Sequence, residues 1–285
     1  MYVPALRSLL SGLFVSILVL AHGLASAQQY GDDKYKPSVG QDGKDVIWVP
    51  TPDEMVTKML ATANVSSDDL VYDLGAGDGK IAIAAARQFG ARAVGIEFNP
   101  DMASLAQRNA ERAGVGGKVK IIRGDIFIED FTQANVVTLY LLPDLNLRLK
   151  PIIQKMKPGT RVVSHSFDMG DWEPDQTIQT SVARGFYWVV PARVEGNWSL
   201  KIPGQPKPAQ LKLVQKNQKI EGTISVGGQT LPIESGHMSG AEMRFEYPTG
   251  DKKSKIAVTA TVKGGQLTGQ LVTTATPLEV SGQRQ

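Results

Sequence analysis

The sequence contains no cysteine in its 285 residues. This absence excludes a disulfide framework, a thiolate nucleophile and any zinc or iron–sulfur site with cysteine ligands. The three histidines, His22, His165 and His237, lie too far apart in the sequence to form a recognisable metal-binding motif. The formal net charge is only +3, so charge gives no reason to expect a nucleic-acid partner.

What the sequence does contain is the composition of an ordinary globular protein. Apolar residues make up 42% of the chain and charged residues 21%, a balance that argues against general disorder. At roughly 150 residues per domain, the length predicts about two domains, each large enough to bury a core of its own.

The first 27 residues have the pattern of a secretory signal peptide. Arg7 supplies the positive charge, residues 9–21 form an apolar run, and Ala25-Ser26-Ala27 gives the small-residue cleavage pattern. The run is shorter than the roughly 20 apolar residues that span a bilayer comfortably. We therefore expect an exported, periplasmic protein, with an uncleaved N-terminal membrane anchor as the alternative. Residues 28–45 are polar and predict a loose linker.

Residues 46–192 alternate between strand and helix patterns. A capping box at Thr51-Pro52-Asp53-Glu54 predicts the start of the first helix. The order of the remaining elements predicts an α/β fold with a doubly wound, mostly parallel seven-stranded sheet, which binds ligands beyond the carboxyl ends of its strands. We expect strands at 70–74, 93–97, 119–122, 136–142 and 160–167, helices at 80–89, 101–113 and 145–156, and a closing antiparallel hairpin at 177–182 and 186–190.

A glycine-rich turn follows the first of these strands. Glycines in Gly75-Ala76-Gly77-Asp78-Gly79 let the backbone turn sharply and approach a ligand closely. A dinucleotide-binding loop would need its third glycine where Lys80 stands. Three carboxylates, Asp73, Glu97 and Asp125, lie at the ends of successive strands. Glu97 could accept both hydroxyl hydrogens of a ribose and Asp125 the exocyclic amine of adenine, although any one carboxylate alone could be only a helix cap.

These residues resemble the class I S-adenosylmethionine-dependent methyltransferases over about residues 46–190, most specifically in residues 71–79. The resemblance implies a Rossmann-like methyltransferase fold, S-adenosyl-L-methionine as the cofactor, and transfer of its methyl group. It also implies a role for each matching residue: Gly75, Ala76 and Gly77 would line the methionine portion of the cofactor, Asp73 would hold its amino group, Glu97 would bind the ribose, and Asp125 and Ile126 would flank the adenine.

A narrower resemblance is to a lysine methyltransferase family that includes the mitochondrial enzymes acting on the c-ring protein of ATP synthase and on the adenine nucleotide translocase, and their bacterial relatives. It rests on Val49-Pro50-Thr51-Pro52, Tyr140-Leu141-Leu142-Pro143, residues 158–164 and Trp172-Glu173-Pro174. The resemblance implies that Thr51 reaches the carboxylate end of the cofactor. It implies that Leu142-Pro143 replaces the Asn-Pro-Pro motif of many amino methyltransferases, and that a protein lysine is the methyl acceptor.

Three residues are candidates for the acceptor side of the site. Asp144 could take a proton from an acceptor ammonium, Asn146 could orient the acceptor, and Tyr140 could line its pocket. The alternative for Asp144, an N-cap for a helix that begins near Leu145, is favoured. His165 lies within an apolar strand, where a buried core histidine is favoured over a catalytic base.

Two other functions stay open on the sequence alone. One is an exported nucleoside- or cofactor-binding protein without catalysis, because the cofactor is made in the cytosol whereas the signal pattern predicts export. The other is a methyltransferase that acts on a small or lipid acceptor at the membrane face. None of these hypotheses requires a metal ion.

Residues 193–285 have a different pattern, with apolar and polar residues alternating in short runs. Gly227-Gly228 and Gly264-Gly265 separate paired runs, which indicates hairpins. The sequence therefore predicts a small antiparallel sandwich or barrel. Partner binding, polysaccharide contact and covering of the active site all stay open as its role.

Overall fold

The structure is a computed structural model that describes residues 30–249, 253–272 and 276–285. The predicted signal peptide, residues 1–27, lies outside this range. Within the described residues, no helix is both long enough and apolar enough to cross a membrane. The strands of the described residues form two sheets, which follow one another along the chain.

Seven strands form the first sheet: β1 (Leu70–Leu74), β2 (Arg92–Glu97), β3 (Val119–Arg123), β4 (Val136–Leu139), β5 (Arg161–His165), β6 (Gln176–Gln179) and β7 (Arg184–Val189). Their order is β3-β2-β1-β4-β5-β7-β6. The first five strands are parallel, and β7 runs antiparallel between β5 and β6. The predicted doubly wound, mostly parallel seven-stranded sheet is confirmed. The chain reverses its direction of winding between β1 and β4, and such sheets bind ligands at the carboxyl ends of strands beside this reversal.

Helices cover both faces of this sheet: α1 (Asp53–Thr62), α2 (Lys80–Phe89), α3 (Pro100–Arg112) and α4 (Pro143–Ile153). Val71, Val136 and Val163 belong to the core that includes α1 and α2. Tyr72 and Val137, which follow two of them in sequence, belong to the core that includes α4. Because successive strand residues point to opposite faces, strands buried on both sides become continuous apolar runs. Each buried apolar side chain contributes roughly 1.5–3 kcal/mol to stability.

The predicted capping box at the start of the first helix is wrong. Helix α1 has Pro52 as its N-cap residue, and no side chain caps it. Thr51 lies one residue too early to serve as the cap, and its hydroxyl has a buried partner instead. Thr51 Oγ1 lies 3.2 Å from Nδ1 of His165 at the end of β5.

The start of α4 also differs from the expectation. The helix begins at Pro143, with Leu142 as its N-cap residue, rather than near Leu145. Asp144 therefore lies inside the first turn and does not cap the helix. Its charge is still favourable there, because the first turn is the positive end of the helix dipole.

Nine strands form the second sheet: β8 (Gly196–Lys201), β9 (Ala209–Lys216), β10 (Lys219–Val226), β11 (Gln229–Pro232), β12 (Glu234–Ser239), β13 (Glu242–Pro248), β14 (Lys255–Lys263), β15 (Gln266–Val272) and β16 (Leu278–Arg284). The strands pair antiparallel, and β9 pairs with both β8 and β10. This double pairing joins the two ends of the sheet, so that eight strands close into a barrel, and β11 pairs with the last residues of β10 on the edge that β10 shares with β12. The predicted antiparallel all-β fold is confirmed, and its closure makes it a barrel.

Two glycines let strands of the barrel approach one another closely. A Cβ atom at Gly269 in β15 would lie 2.2 Å from the carbonyl oxygen of Thr259 in β14. A Cβ atom at Gly222 in β10 would lie 1.9 Å from the carbonyl oxygen of Lys212 in β9. Both contacts are with backbone, which cannot move aside without breaking the sheet, so these positions require glycine.

Gly269→Ala should lower the free energy of unfolding by about 1–3 kcal/mol, because the added methyl group overlaps the neighbouring strand. Urea unfolding followed by circular dichroism measures this change. Gly265→Ala, in the turn between β14 and β15, is the matched control, since the nearest atom to its Cβ would be 3.8 Å away. An equal loss of stability in both variants would contradict the steric explanation.

Candidate active site

A cavity of about 260 Å³ opens at the carboxyl ends of β1, β2 and β4. The loops that follow these strands line one side, and residues 41–49 line the other. Because adjacent parallel strands end at the same edge of the sheet, residues far apart in sequence meet here. The cavity brings together all eight residues predicted to contact the cofactor: Thr51, Asp73, Gly75, Ala76, Gly77, Glu97, Asp125 and Ile126.

The glycine loop between β1 and α2 lies against the end of β2. The amide groups of Gly75 and Ala76 both donate to the carbonyl oxygen of Ile96, at 2.9 and 3.0 Å. Gly75 has a φ of +80° and Gly77 a φ of +55°, values that favour glycine. A Cβ atom at Gly77 would lie 2.6 Å from Nε1 of Trp48, which lines the same cavity. A side chain at this position would therefore collide with Trp48, and the loop borders the cavity with bare backbone.

Asp73 is a buried carboxyl group at the end of β1, with 2% of its surface exposed. It pairs in register with Thr138 of β4, and the Thr138 hydroxyl donates to Asp73 Oδ1 at 2.7 Å. Burial raises the pKa of Asp73 to about 7, and the nearby carboxyl groups of Asp78 and Glu97 add to the effect. Among the described residues, no cation is one of the main causes of this shift. A ligand ammonium is therefore the natural complement of this carboxylate.

Glu97 and Asp125 follow on the next two strands, in different environments. Glu97 accepts hydrogen bonds from the amide groups of Gly77 and Asn99, each at 2.9 Å, and burial raises the pKa of its carboxyl group. Asp125 Oδ2 lies 2.5 Å from Nζ of Lys44, and this ammonium lowers the pKa of Asp125. The site thus has a largely buried carboxyl group at its centre and a paired carboxylate at its rim.

Aromatic side chains form the other end of the cavity. Tyr140, just after β4, and Phe167, just after β5, both line it. The ring of Tyr140 lies 3.9 Å from that of His165 and 6.4 Å from that of Phe167, measured between centroids. Ser166 has a φ of +65°, which is uncommon for a residue other than glycine and marks a constrained turn. This turn leads directly into Phe167.

His165 is 3% exposed and supports Tyr140 from the protein interior. Burial lowers its pKa to about 4. The ring is therefore neutral near pH 7, and its Nδ1 is 3.2 Å from the Thr51 hydroxyl. This environment agrees with the interpretation of a buried core histidine.

The structure does not bring Asp144 and Asn146 to the surface of the cavity. Asp144 is exposed on α4. Asn146 is fully buried, and its Nδ2 lies 3.3 Å from Ser164 Oγ, 3.2 Å from the carbonyl oxygen of Phe167 and 3.1 Å from that of Asp168. Asn146 therefore supports the loop that carries Phe167.

Residues 30–50, the N-terminal strap, pack against α3 and the loops that follow β1 and β3, and they differ from the loose linker expected for residues 28–45. Asp32 Oδ2 lies 2.6 Å from Arg108 and 2.8 Å from Arg112, both on α3. Lys44 and Trp48 belong to this strap and reach the cavity. Neither residue was predicted from the sequence. The one available signal was Trp48, an aromatic residue that follows a polar stretch.

Comparison with known proteins identifies the family of this chain. Residues 73–176 match a family model described as the ANTKMT methyltransferase domain. A protein-lysine N-methyltransferase from Saccharolobus islandicus (strain REY15A) is 48% identical over 136 residues, which are 47% of this chain and 84% of that protein. The chain belongs to this methyltransferase family. The enzyme therefore transfers a methyl group from S-adenosyl-L-methionine, which confirms the predicted activity and cofactor.

Two further similarities point the same way. The mouse lysine N-methyltransferase named for the c-ring protein of ATP synthase is 33% identical over 131 residues, and the chain spans 52% of that protein's length. A crystal structure described as an RNA methyltransferase from Salinibacter ruber in complex with S-adenosyl-L-homocysteine shares 49% sequence identity. That similarity covers 51% of this chain and 96% of the other, with a TM-score of 0.50.

The cavity of this methyltransferase fits its cofactor in two independent respects. At Gly77 the Trp48 indole lies too close for a Cβ atom, so the loop borders the cavity with bare backbone, as close approach of a ligand to the backbone requires. The buried carboxyl group of Asp73 would be matched by the ammonium of the methionine portion. Neither feature is needed for a turn that serves only to connect a strand to a helix.

Gly77→Arg should weaken cofactor binding by at least about a hundredfold, because the new side chain collides with Trp48 and enters the cavity that both residues line. Isothermal titration with S-adenosyl-L-methionine measures the affinity. Gly114→Arg is the matched control: Gly114 also has a positive φ, +73°, but no atom lies within 4 Å of its Cβ position. Equal affinities in the two variants would show that the cofactor binds elsewhere.

The cofactor affinity should also depend on pH through Asp73. The ionised carboxylate attracts an ammonium and the protonated form does not, so affinity should increase as the pH rises through the pKa of about 7 and level off above it. Asp73→Asn should bind at least about tenfold more weakly near neutral pH and should lose this dependence. Titrations between about pH 5.5 and about pH 7.5 test this.

Asp68→Asn, at an exposed position just before β1, is the control for the change of net charge. A pH dependence that survives in Asp73→Asn would assign the titration to another group, such as Glu97.

Proposed function

We propose that this enzyme is a protein-lysine N-methyltransferase. The observation that carries the proposal is its 48% identity to an archaeal protein of that name, over 84% of that protein's length. The mouse and human relatives named for the c-ring protein of ATP synthase are also lysine methyltransferases by name. The aromatic side chains at one end of the cavity also favour lysine as the acceptor on chemical grounds.

The first step is the orientation of the cofactor, which carries an electrophilic methyl group on its sulfonium centre. In our proposal, Asp73 would hold the ammonium and the glycine loop would follow the methionine portion. Glu97 would bind the ribose hydroxyl groups, and Asp125 with Ile126 would flank the adenine. Thr51 lies at the carboxylate end, where its carbonyl oxygen is fixed by Nζ of Lys80 at 3.1 Å.

The second step is the approach of the lysine acceptor. Tyr140, Phe167 and the partly exposed Leu142 line the end of the cavity away from Asp125. Aromatic faces attract a cationic head group, and apolar surface suits the long aliphatic stem of lysine. These side chains would hold the amine in line with the methyl group and exclude water, which is most of what methyl transfer requires of a protein.

The third step is the loss of a proton, because an ammonium has no lone pair for attack. A lysine ammonium has an unperturbed pKa of about 10.4, and His165, whose pKa is about 4, is too weak a base to receive its proton. Asp144 is exposed and does not line the cavity. We therefore assign the proton to solvent at the open mouth of the cavity, after the aromatic faces have attracted the ammonium and before the amine attacks the methyl group.

The test is methylation of natural acceptors by the purified full-length chain. Cytosolic and envelope extracts should be incubated separately with S-adenosyl-L-methionine labelled in its methyl group, since export is a prediction from residues 1–27. We expect label in a protein band, and hydrolysis of that band should release methylated lysine. Gly77→Arg should abolish the label, whereas Gly114→Arg should retain it.

Each alternative acceptor gives a distinct result in this experiment. Label that nuclease treatment removes would replace lysine by RNA, the acceptor class named for the Salinibacter ruber structure. Label that organic solvent extracts would indicate a lipid or small acceptor at the membrane face. Either result would overturn the lysine proposal while leaving the methyltransferase activity intact.

A further inference from the structure

The loop that joins β5 to β6, residues 166–175, connects the active site with the barrel, and we call it the acceptor loop. Near its start, Phe167 lines the cavity against Tyr140. Near its end, Asp171 and Glu173 contact the barrel. The loop therefore has one end in the aromatic part of the active site and the other on the second sheet.

The barrel contacts this loop through residues 216–219, the turn between β9 and β10, which we call the barrel turn. Asn217 Nδ2 donates to the carbonyl oxygen of Asp171 at 3.1 Å. Gln218, which is 4% exposed, donates through Nε2 to the carbonyl oxygen of Glu173 at 2.6 Å. Both bonds hold backbone of the loop, so they fix the course of the chain rather than the position of a side chain.

The backbone conformation of the barrel turn suits this contact. Asn217 has a φ of +54°, a left-handed conformation that asparagine tolerates better than most residues. Its Oδ1 accepts a hydrogen bond from Nε2 of Gln154 at 2.8 Å, and Gln154 is the C-cap residue of α4. One side chain thus joins the acceptor loop, the barrel and the end of α4.

The acceptor loop is stiff between its two ends. Met169 and Trp172 are fully buried and form an antiparallel bridge. The carbonyl oxygen of Trp172 accepts from Nε1 of Trp188 at 2.8 Å, and Asn146 supports the carbonyl oxygen of Phe167. Because packed interiors transmit displacement rather than absorb it, a shift at Asp171 or Glu173 moves Phe167.

We propose that the barrel turn is a positioning element for the methyl acceptor: by holding the carbonyl groups of Asp171 and Glu173, it sets Phe167 against Tyr140. The inference rests on the proposed function, in which Phe167 contacts the lysine side chain. None of the described barrel residues lines the cavity, so the barrel acts on the acceptor through the loop and leaves cofactor binding unchanged. This gives the barrel a role in positioning the methyl acceptor.

The double variant Asn217→Gly/Gln218→Met tests the proposal in the full-length enzyme. Glycine keeps the left-handed turn while removing both side-chain hydrogen bonds of Asn217. Methionine keeps the length and burial of Gln218 while removing its donor. The KM for the methyl acceptor should rise about tenfold, whereas the dissociation constant for S-adenosyl-L-methionine should stay within about twofold of the wild-type value.

Gln229→Met is the matched control, since Gln229 is exposed at the start of β11 and its neighbours are barrel residues. An unchanged acceptor KM in the double variant would overturn the proposal. A lower kcat with an unchanged acceptor KM and an unchanged dissociation constant for S-adenosyl-L-methionine would also overturn it, because that result indicates only a smaller folded fraction. Should the double variant be unfolded by circular dichroism, Asn217→Gly alone makes the same comparison.

Failure of the proposed function gives a different result. If the wild-type enzyme methylates another acceptor and no lysine, the lysine proposal is overturned. The role of the barrel turn is then tested by the KM of the double variant for that other acceptor. The two proposals are thus judged by separate measurements.

Discussion

The burial of one carboxyl group at the end of β1 is the constraint on which the rest of the active site depends. Asp73 lies between two parallel neighbours, where Thr138 supplies one hydroxyl donor and little solvent reaches it. Keeping this group ionised in such a place is unfavourable, which its pKa of about 7 expresses. A cationic ligand removes that cost. In the proposed orientation of the cofactor, the burial of Asp73 would therefore favour a ligand that carries an ammonium, and the glycine loop would provide the access.

The sheet and the cavity could be predicted because their signals are local in the sequence. A strand such as Val136–Leu139 is buried on both faces and therefore has an apolar residue at nearly every position. Once such strands are ordered by their connecting helices, their carboxyl ends share one edge of the sheet. Residues at those ends, such as Glu97 and Asp125, then meet without any further assumption.

The features that could not be predicted depend on partners that are distant in sequence. The pattern at Thr51 satisfies every local rule for a helix cap, but its hydroxyl lies beside His165, 114 residues further along the chain. Lys44 reaches Asp125 across 81 residues, and long-range ion pairs leave no periodic pattern. Closure of the barrel has the same cause, because alternation within strands is identical whether β9 pairs on one side or on both.

The contact between the two sheets is polar, and this determines what the barrel can contribute. Each sheet has its own apolar core, whereas hydrogen bonds join the barrel to the methyltransferase part, such as that from Nδ2 of Asn217 to the carbonyl oxygen of Asp171 at 3.1 Å. A hydrogen bond of this kind adds only about 0.5–1.5 kcal/mol of net stability, but it is directional, whereas apolar contact allows many similar arrangements. The interface is therefore better suited to fixing a geometry than to holding the protein together. The backbone that it fixes at Asp171 and Glu173 belongs to the loop that carries Phe167 into the cavity.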